Sequence, residues 1–92
     1  MKAIYKYQAP ILEKFDMDLP VGAKIIRFEC IEGFISLWAI IDTEVPLEKR
    51  FFEMYKTGQE IETSIDDLVL IGMAKIFIGM ELCLYTFENI RK

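Results

Sequence analysis

Either side of Glu32-Gly33 the chain carries two runs that leave little choice of fold. Lys24-Ile25-Ile26-Arg27-Phe28-Glu29-Cys30-Ile31 alternates in steps of two, with residues 26, 28 and 30 on one apolar face and Arg27 and Glu29 on the other. That is the period of a strand, whose successive side chains point to opposite sides. Phe34-Ile35-Ser36-Leu37-Trp38-Ala39-Ile40-Ile41 follows, with Ile35, Leu37, Ala39 and Ile41 on one face and Phe34, Trp38 and Ile40 on the other. A strand apolar on both faces is central in a sheet or lies at a subunit contact. Two residues ending in glycine between such runs predict a tight hairpin, with Glu a poorer first residue than Asn or Asp.

The remaining chain reads the same way. Ala3 to Gln8 predicts a first strand and Ile11 to Leu19 a possible second, with Pro20-Val21-Gly22 turning into the Lys24 run. Asp42-Thr43-Glu44-Val45-Pro46 is a loop, because proline cannot donate to a ladder. Leu47 to Lys56 is a further strand, rich in aromatic and charged residues, and Thr57-Gly58-Gln59 turns the chain. Residues 63–67 predict one short helical turn capped by Thr63 or Ser64. Leu68 to Lys75 and Met80 to Glu88 close the chain as a hairpin around Ile76-Phe77-Ile78-Gly79. Six to seven short strands with turns every few residues predict an all-β fold, a small antiparallel sandwich or barrel. At 92 residues it is a single domain spanning 1–92.

Composition narrows the chemistry. The chain has no histidine, which removes Ser-His and Cys-His nucleophile pairs and any His-bearing metal site. Cys30 and Cys83 are far apart and lack Cys-x-x-Cys spacing, so two reduced, buried thiols are expected, with no metal and no cofactor. Asp66-Asp67 and Asp42-Glu44 are the visible carboxylate pairs, and as neighbours in loops they read as solvated turn residues. No catalytic residue is expected. The net charge of −4 argues against a nucleic-acid polymer as partner, although residues 1–27 hold five basic against three acidic side chains and residues 28–92 six against twelve. No apolar stretch is long enough for a signal peptide or a membrane span, so no membrane role is expected. With 53% apolar residues in so short a chain, part of the apolar surface is expected in a homo-oligomer interface or a pocket.

Binding chemistry has better support than catalysis. A planar anionic ligand such as a nucleotide needs an aromatic plane and cationic donors, and guanidinium matches phosphate bidentately. Trp38, Tyr55, Phe51 and Phe52 supply candidate planes, and Arg27, Lys49, Arg50 and Lys56 candidate donors. The expected ligand-binding set is Arg27, Trp38, Lys49, Arg50, Tyr55 and Lys56. Arg50 and Lys56 share strand parity, but nothing in the pattern places them near Arg27. The plainer alternative is that the aromatics fill the core and the cations lie on a solvated face.

Several motifs follow one another in a familiar order: Ile4-Tyr5-Lys6-Tyr7, Pro20-Val21-Gly22-Ala23-Lys24-Ile25, Leu37-Trp38-Ala39-Ile40-Ile41-Asp42, Pro46-Leu47-Glu48-Lys49-Arg50-Phe51, Thr57-Gly58, Ile71-Gly72 and Leu82-Cys83-Leu84-Tyr85-Thr86-Phe87-Glu88. In these the chain resembles, over nearly its whole length, a family of small uncharacterised proteins encoded by tailed bacteriophages. Members of that family often carry histidines in the final hairpin, and any role those histidines have cannot operate here. The resemblance implies a phage product in the cytoplasm of the host bacterium. Taken with the aromatic and cationic residues interleaved at 49–56 and the missing catalytic set, that context makes the leading expectation a non-catalytic homo-oligomer that sequesters a small anionic signalling nucleotide, of the cyclic oligonucleotide or cyclic ADP-ribose type, to evade antiphage defence. The alternative expectation is an accessory protein that inhibits a host protein by direct contact through an acidic surface. A carboxylate-and-metal hydrolase of the same signals is the third and least supported.

Overall fold

Burial follows the two-residue alternation, and six of the seven strands fall within two residues of where the sequence predicts them, while the second begins at Lys14 rather than Ile11. The computed structural model describes residues 1–92, with strands β1 (Lys2–Ala9), β2 (Lys14–Pro20), β3 (Lys24–Ile31), β4 (Phe34–Asp42), β5 (Leu47–Lys56), β6 (Leu68–Phe77) and β7 (Glu81–Asn89), and one 3-10 turn at Ile65–Asp67. They form two antiparallel sheets, ordered β1-β4-β3 and β2-β5-β7-β6. The sheets pack as a sandwich, one of the two architectures expected. The chain crosses between sheets after β1, β2 and β4, and the molecule is a slab of 42 × 32 × 16 Å. No helix is long and apolar enough to cross a membrane.

The core lies between the sheets. From β4 come Ile35, Leu37, Ala39 and Ile41, none more than 2% exposed, and Phe28 joins them from β3. Phe15 and Leu19 of β2, Phe52 and Met54 of β5, Ala74 of β6 and Leu84 of β7 face them. Phe15 and Phe52 sit opposite each other in register with rings stacked at 5.3 Å. Truncating such side chains costs about 2–5 kcal/mol, since a collapsed core refills only part of the void.

Three local details depart from the sequence pattern. In β3 the register shifts between Ile25 and Arg27. This bulge takes up one residue, so Ile25, Phe28 and Cys30 face the core while Ile26 is pushed out and exposed. β6 runs on to Phe77, two residues past the expected stop, because Ile76 and Phe77 pair with Leu82 and Glu81. The 3-10 turn starts after Ser64, yet neither hydroxyl caps it: the Asp67 N–H donates to the Ser64 carbonyl at 2.9 Å, and Thr63 is engaged elsewhere. Cys30 and Cys83 are free thiols and half-buried.

Two contacts draw the sheets together. A Cβ at Gly72 would lie 2.7 Å from the Phe28 Cβ, so β6 comes close to β3 only because residue 72 is glycine. Arg50 points inward from β5, donating from Nε and Nη2 to the Glu88 carboxylate at 2.6 Å each and from Nη1 to the Ala23 carbonyl at 2.5 Å. Both charged side chains are under a fifth exposed, and the two parallel bonds offset the cost of desolvating them. Ala23 belongs to the β2–β3 crossing, so this ion pair also anchors the chain where it passes from one sheet to the other.

The Glu32-Gly33 hairpin has φ of 53° and 84°, a two-residue turn with both positions left-handed. Glycine adopts this freely, whereas a glutamate there is strained. Glu32→Asn is expected to raise stability by about 1 kcal/mol and the melting temperature by roughly 4–8 °C, as read by calorimetry. Gly72→Ala is expected to cost about 1–3 kcal/mol in urea unfolding, because the added methyl meets a Cβ close to the backbone of Phe28.

Candidate functional site

Burying Ile35, Leu37, Ala39 and Ile41 turns Ser36, Trp38 and Ile40 to the other face of β4. On that outer face Trp38 has a cation opposite it on each neighbouring strand: Lys6 of β1 and Arg27 of β3. The Lys6 ammonium lies 5.6 Å and the Arg27 guanidinium carbon 4.5 Å from the ring centroid, both within cation–π range. Arg27 also forms an ion pair with Glu29 two residues along its strand. By register Lys2 and Lys24 share this face, opposite Asp42 and Ile40. Four cations thus stand against the carboxylates of Glu29 and Asp42 on one face of an acidic protein. The Asp42 carboxyl is held below its ordinary pKa by the Glu44 N–H and then by the N-terminal ammonium, 3.3 Å away.

Beside the tryptophan lies an open depression of 350 Å³, lined by Lys6, Gln8, Ile31, Glu32, Phe34 and Ser36. Ser36 is buried and lies between Gln8 and Glu29 in register, whereas Phe34 is 59% exposed. One end of the depression therefore offers an apolar ring, and the other the Lys6 ammonium beside Trp38. The arrangement suits a ligand with a flat apolar part and an anionic part. No cluster of three or more His, Cys, Asp or Glu side chains gathers in metal-binding geometry.

The residues proposed from sequence as one ligand set occupy different places. Arg27 and Trp38 meet. The other four stand on β5 in the opposite sheet. Lys49 faces outward there, bonded to Asp16 at 3.3 Å and 3.8 Å from Asp18. Arg50 is turned inward and committed to Glu88 and Ala23. Lys56 has the parity expected of it with Arg50, and ends the strand beside Ile11, Leu12 and Gln59. Tyr55 is 4% exposed. The sequence reading missed Lys2, Lys6, Lys24 and Gln8 as companions of Trp38. The alternation Lys2, Ile4, Lys6, Gln8 was visible, but that β1 pairs with β4 was not.

Tyr55 belongs to a second polar centre. Glu53 points outward from β5, yet it is 3% exposed, beneath the segment joining β5 to β6. Its carboxylate accepts hydrogen bonds from the Tyr55 hydroxyl, from the Thr63 hydroxyl at 2.7 Å and from the Asn89 amide at 2.8 Å. Burial works to raise the Glu53 pKa, but these three bonds together outweigh it and hold the carboxyl below its usual value. Tyr55 is pushed up to about 12, by burial first and then by its bond to Glu53. The centre joins three parts of the chain: β5, the connecting segment through Thr63, and the end of β7 through Asn89. Ile90 N–H to the Asp67 carbonyl, at 2.9 Å, closes the same corner.

With its pKa lowered by folding, Glu53 contributes stability at neutral pH that is lost as pH falls below the unfolded value near 4.5 and through the folded one. Glu53→Gln turns an amide donor toward one of three existing donors and is expected to cost about 1–3 kcal/mol at pH 7. The gap between variant and wild type should narrow as the medium is acidified, read from urea midpoints across that range.

Residues 1–92 match a family model described as Domain of unknown function (DUF7352). No curated protein and no solved structure gives a significant match.

Proposed function

The chain belongs to the DUF7352 family, and we propose that it is a non-catalytic binding protein that captures a small anionic nucleotide on the outer face of the β1-β4-β3 sheet. The observation that carries this reading is Trp38 held between Lys6 and Arg27, with Lys2 and Lys24 on the same face of a protein whose net charge is −4. Phosphate groups are drawn to such a face, and Arg27 can exchange its solvated ion pair with Glu29 for a bidentate bond to phosphate. The base has an apolar surface in Phe34 and Ile31 beside the depression. Among nucleotides, the likeness of the chain's motifs to those of tailed-phage proteins supports a cyclic signalling nucleotide of bacterial antiphage defence. The protein would hold that signal intact in the host cytoplasm and so silence the response.

Titration calorimetry against cyclic oligonucleotides and cyclic ADP-ribose isomers tests the reading. One of them is expected to bind, and Trp38→Ala and Arg27→Ala are each expected to weaken it at least tenfold, about 1.4 kcal/mol. Heat-denaturing the complex should release the ligand unchanged. Absence of binding across the panel at high protein concentration, or full affinity in both variants, overturns the site, and a cleaved product overturns the non-catalytic reading.

One observation favours a second reading, in which an acidic surface inhibits a host protein. Glu60, Glu62 and Asp66 are exposed on the β5–β6 segment, alternating with exposed Ile61 and Ile65, on the sheet opposite Trp38. A stoichiometric protein partner in a pull-down from host lysate, lost when these three acids are made neutral, is the result that reading requires.

A further inference from the structure

Glu32 is the one residue other than glycine held at positive φ, 53° in the turn between β3 and β4. A glutamate is strained there where asparagine or glycine is not. Its place carries a second cost. Glu32 lines the depression beside Trp38, so it sets a carboxylate next to the cations that attract phosphate. Backbone strain of this kind clusters at ligand sites, where the side chain it positions has something to meet.

Ser36 forms the floor of the same depression and carries an independent mark. It is 2% exposed, yet its hydroxyl bonds to no group of the protein and is not sealed in, because the depression opens over it. Thr86, another buried hydroxyl without a partner, is closed within the core. In register Ser36 lies beside Gln8 of β1, whose amide is exposed and likewise unbonded. Buried polar groups are ordinarily paired, so a free hydroxyl under an open depression points to a polar ligand above it.

The polar groups follow an order along the depression. Lys6 beside Trp38 only donates, Gln8 and Ser36 donate and accept, and Glu32 only accepts. Phe34 and Ile31 pair with each other next to the turn and give the Glu32 end its apolar surface. A nucleotide with its phosphates toward Trp38 therefore turns the edge of its base to Glu32. Guanine has two adjacent donors on that edge, N1–H and the 2-amino group, which match the two oxygens of a carboxylate. Adenine has a lone pair at N1, which a carboxylate repels. Cytosine has one donor beside an acceptor, and uracil one donor between two acceptors.

We propose that the depression selects guanine, with the Glu32 carboxylate accepting from N1–H and the 2-amino group above the Ser36 hydroxyl; this rests on the nucleotide reading of the Trp38 face. Lys6 and Arg27 take the phosphates, and Glu32 sets the specificity. The acid that strains the turn is the one that reads the base.

Titration calorimetry tests it with cyclic nucleotides matched in sugar and phosphate, each supplied with guanine, hypoxanthine or adenine. Guanine is expected to bind roughly tenfold or more tighter than adenine, because a carboxylate left facing a lone pair is unpaired. Hypoxanthine, which lacks the 2-amino group, is expected to bind roughly threefold or more weaker than guanine. Glu32→Gln turns an amide donor toward the base and is expected to remove the preference by weakening guanine and not adenine. Glu32→Asn is expected to do the same while raising the melting temperature, a pairing that damage to the fold does not produce. Ser36→Ala removes only the hydroxyl and is expected to weaken guanine roughly threefold or more. Adenine bound as tightly as guanine, or a guanine preference undiminished in Glu32→Gln, overturns the proposal while the nucleotide reading stands. Full affinity in Ser36→Ala puts the base elsewhere and overturns it too. Silence with all three bases overturns both the proposal and the reading beneath it.

Discussion

Burial of one face of β4 is the constraint from which the rest of the architecture is arranged. Ile35, Leu37, Ala39 and Ile41 have almost no contact with solvent, and they meet Phe52, Leu19 and Phe28 across and beside them in the core. Sliding β4 by one residue would turn this whole row out to water, so its register is strongly specified. The same alternation leaves the other face no freedom: once Leu37 is in, Trp38 is out. The candidate site is therefore positioned by the core beneath it. Lys6 and Arg27 reach the ring because their own strands are held in register by Tyr7 on one side and Phe28 on the other.

Two buried charges hold the chain where strands alone do not. Arg50 and Glu88 lie on the core side of the larger sheet, where a solvated surface cannot screen them, and the third donor of Arg50 anchors the β2–β3 crossing. Glu53 lies on the opposite face of the same strand, and it is buried because the β5–β6 segment folds over it. One is satisfied by an opposite charge, the other by three neutral donors. Each turns a connection that has little hydrophobic content into a fixed part of the structure. Breaking either from one side leaves a buried charge without its partners, which is the costly case.

The residues from 49 to 56 show why the site was only partly legible. In sequence they interleave aromatic and charged side chains and look like one ligand-binding strip. In the sheet they divide by parity, with Arg50, Phe52, Met54 and Lys56 toward the core side and Lys49, Phe51, Glu53 and Tyr55 away from it. Glu53, a lone acid among aromatics, has nothing in its neighbourhood to mark it as buried, because its partners Thr63 and Asn89 are ten and thirty-six residues away. Trp38 was found because it offers an aromatic plane on the second apolar face of its strand, where a planar anionic ligand could stack. Its companions on β1 were not, because pairing between strands is a long-range choice.

What the sequence by itself determined is local: strand positions, the two-residue hairpin at Glu32-Gly33, the sides of β4, and the exclusion of histidine chemistry. These follow from alternation and turn geometry, which need only neighbouring residues. The tertiary structure alone decided which sheet each strand joined, and with it that Arg27 and Trp38 meet while Arg50 and Tyr55 do not join them. The bulge at Ile26 makes the reason plain. One unpaired residue reverses parity along β3, so that Ile25 takes the inward place that Ile26 holds in the simple pattern. No step-of-two count can foresee it, because the bulge is set by how β3 must bend to pack Phe28 against Gly72 and pair with β4 at the same time.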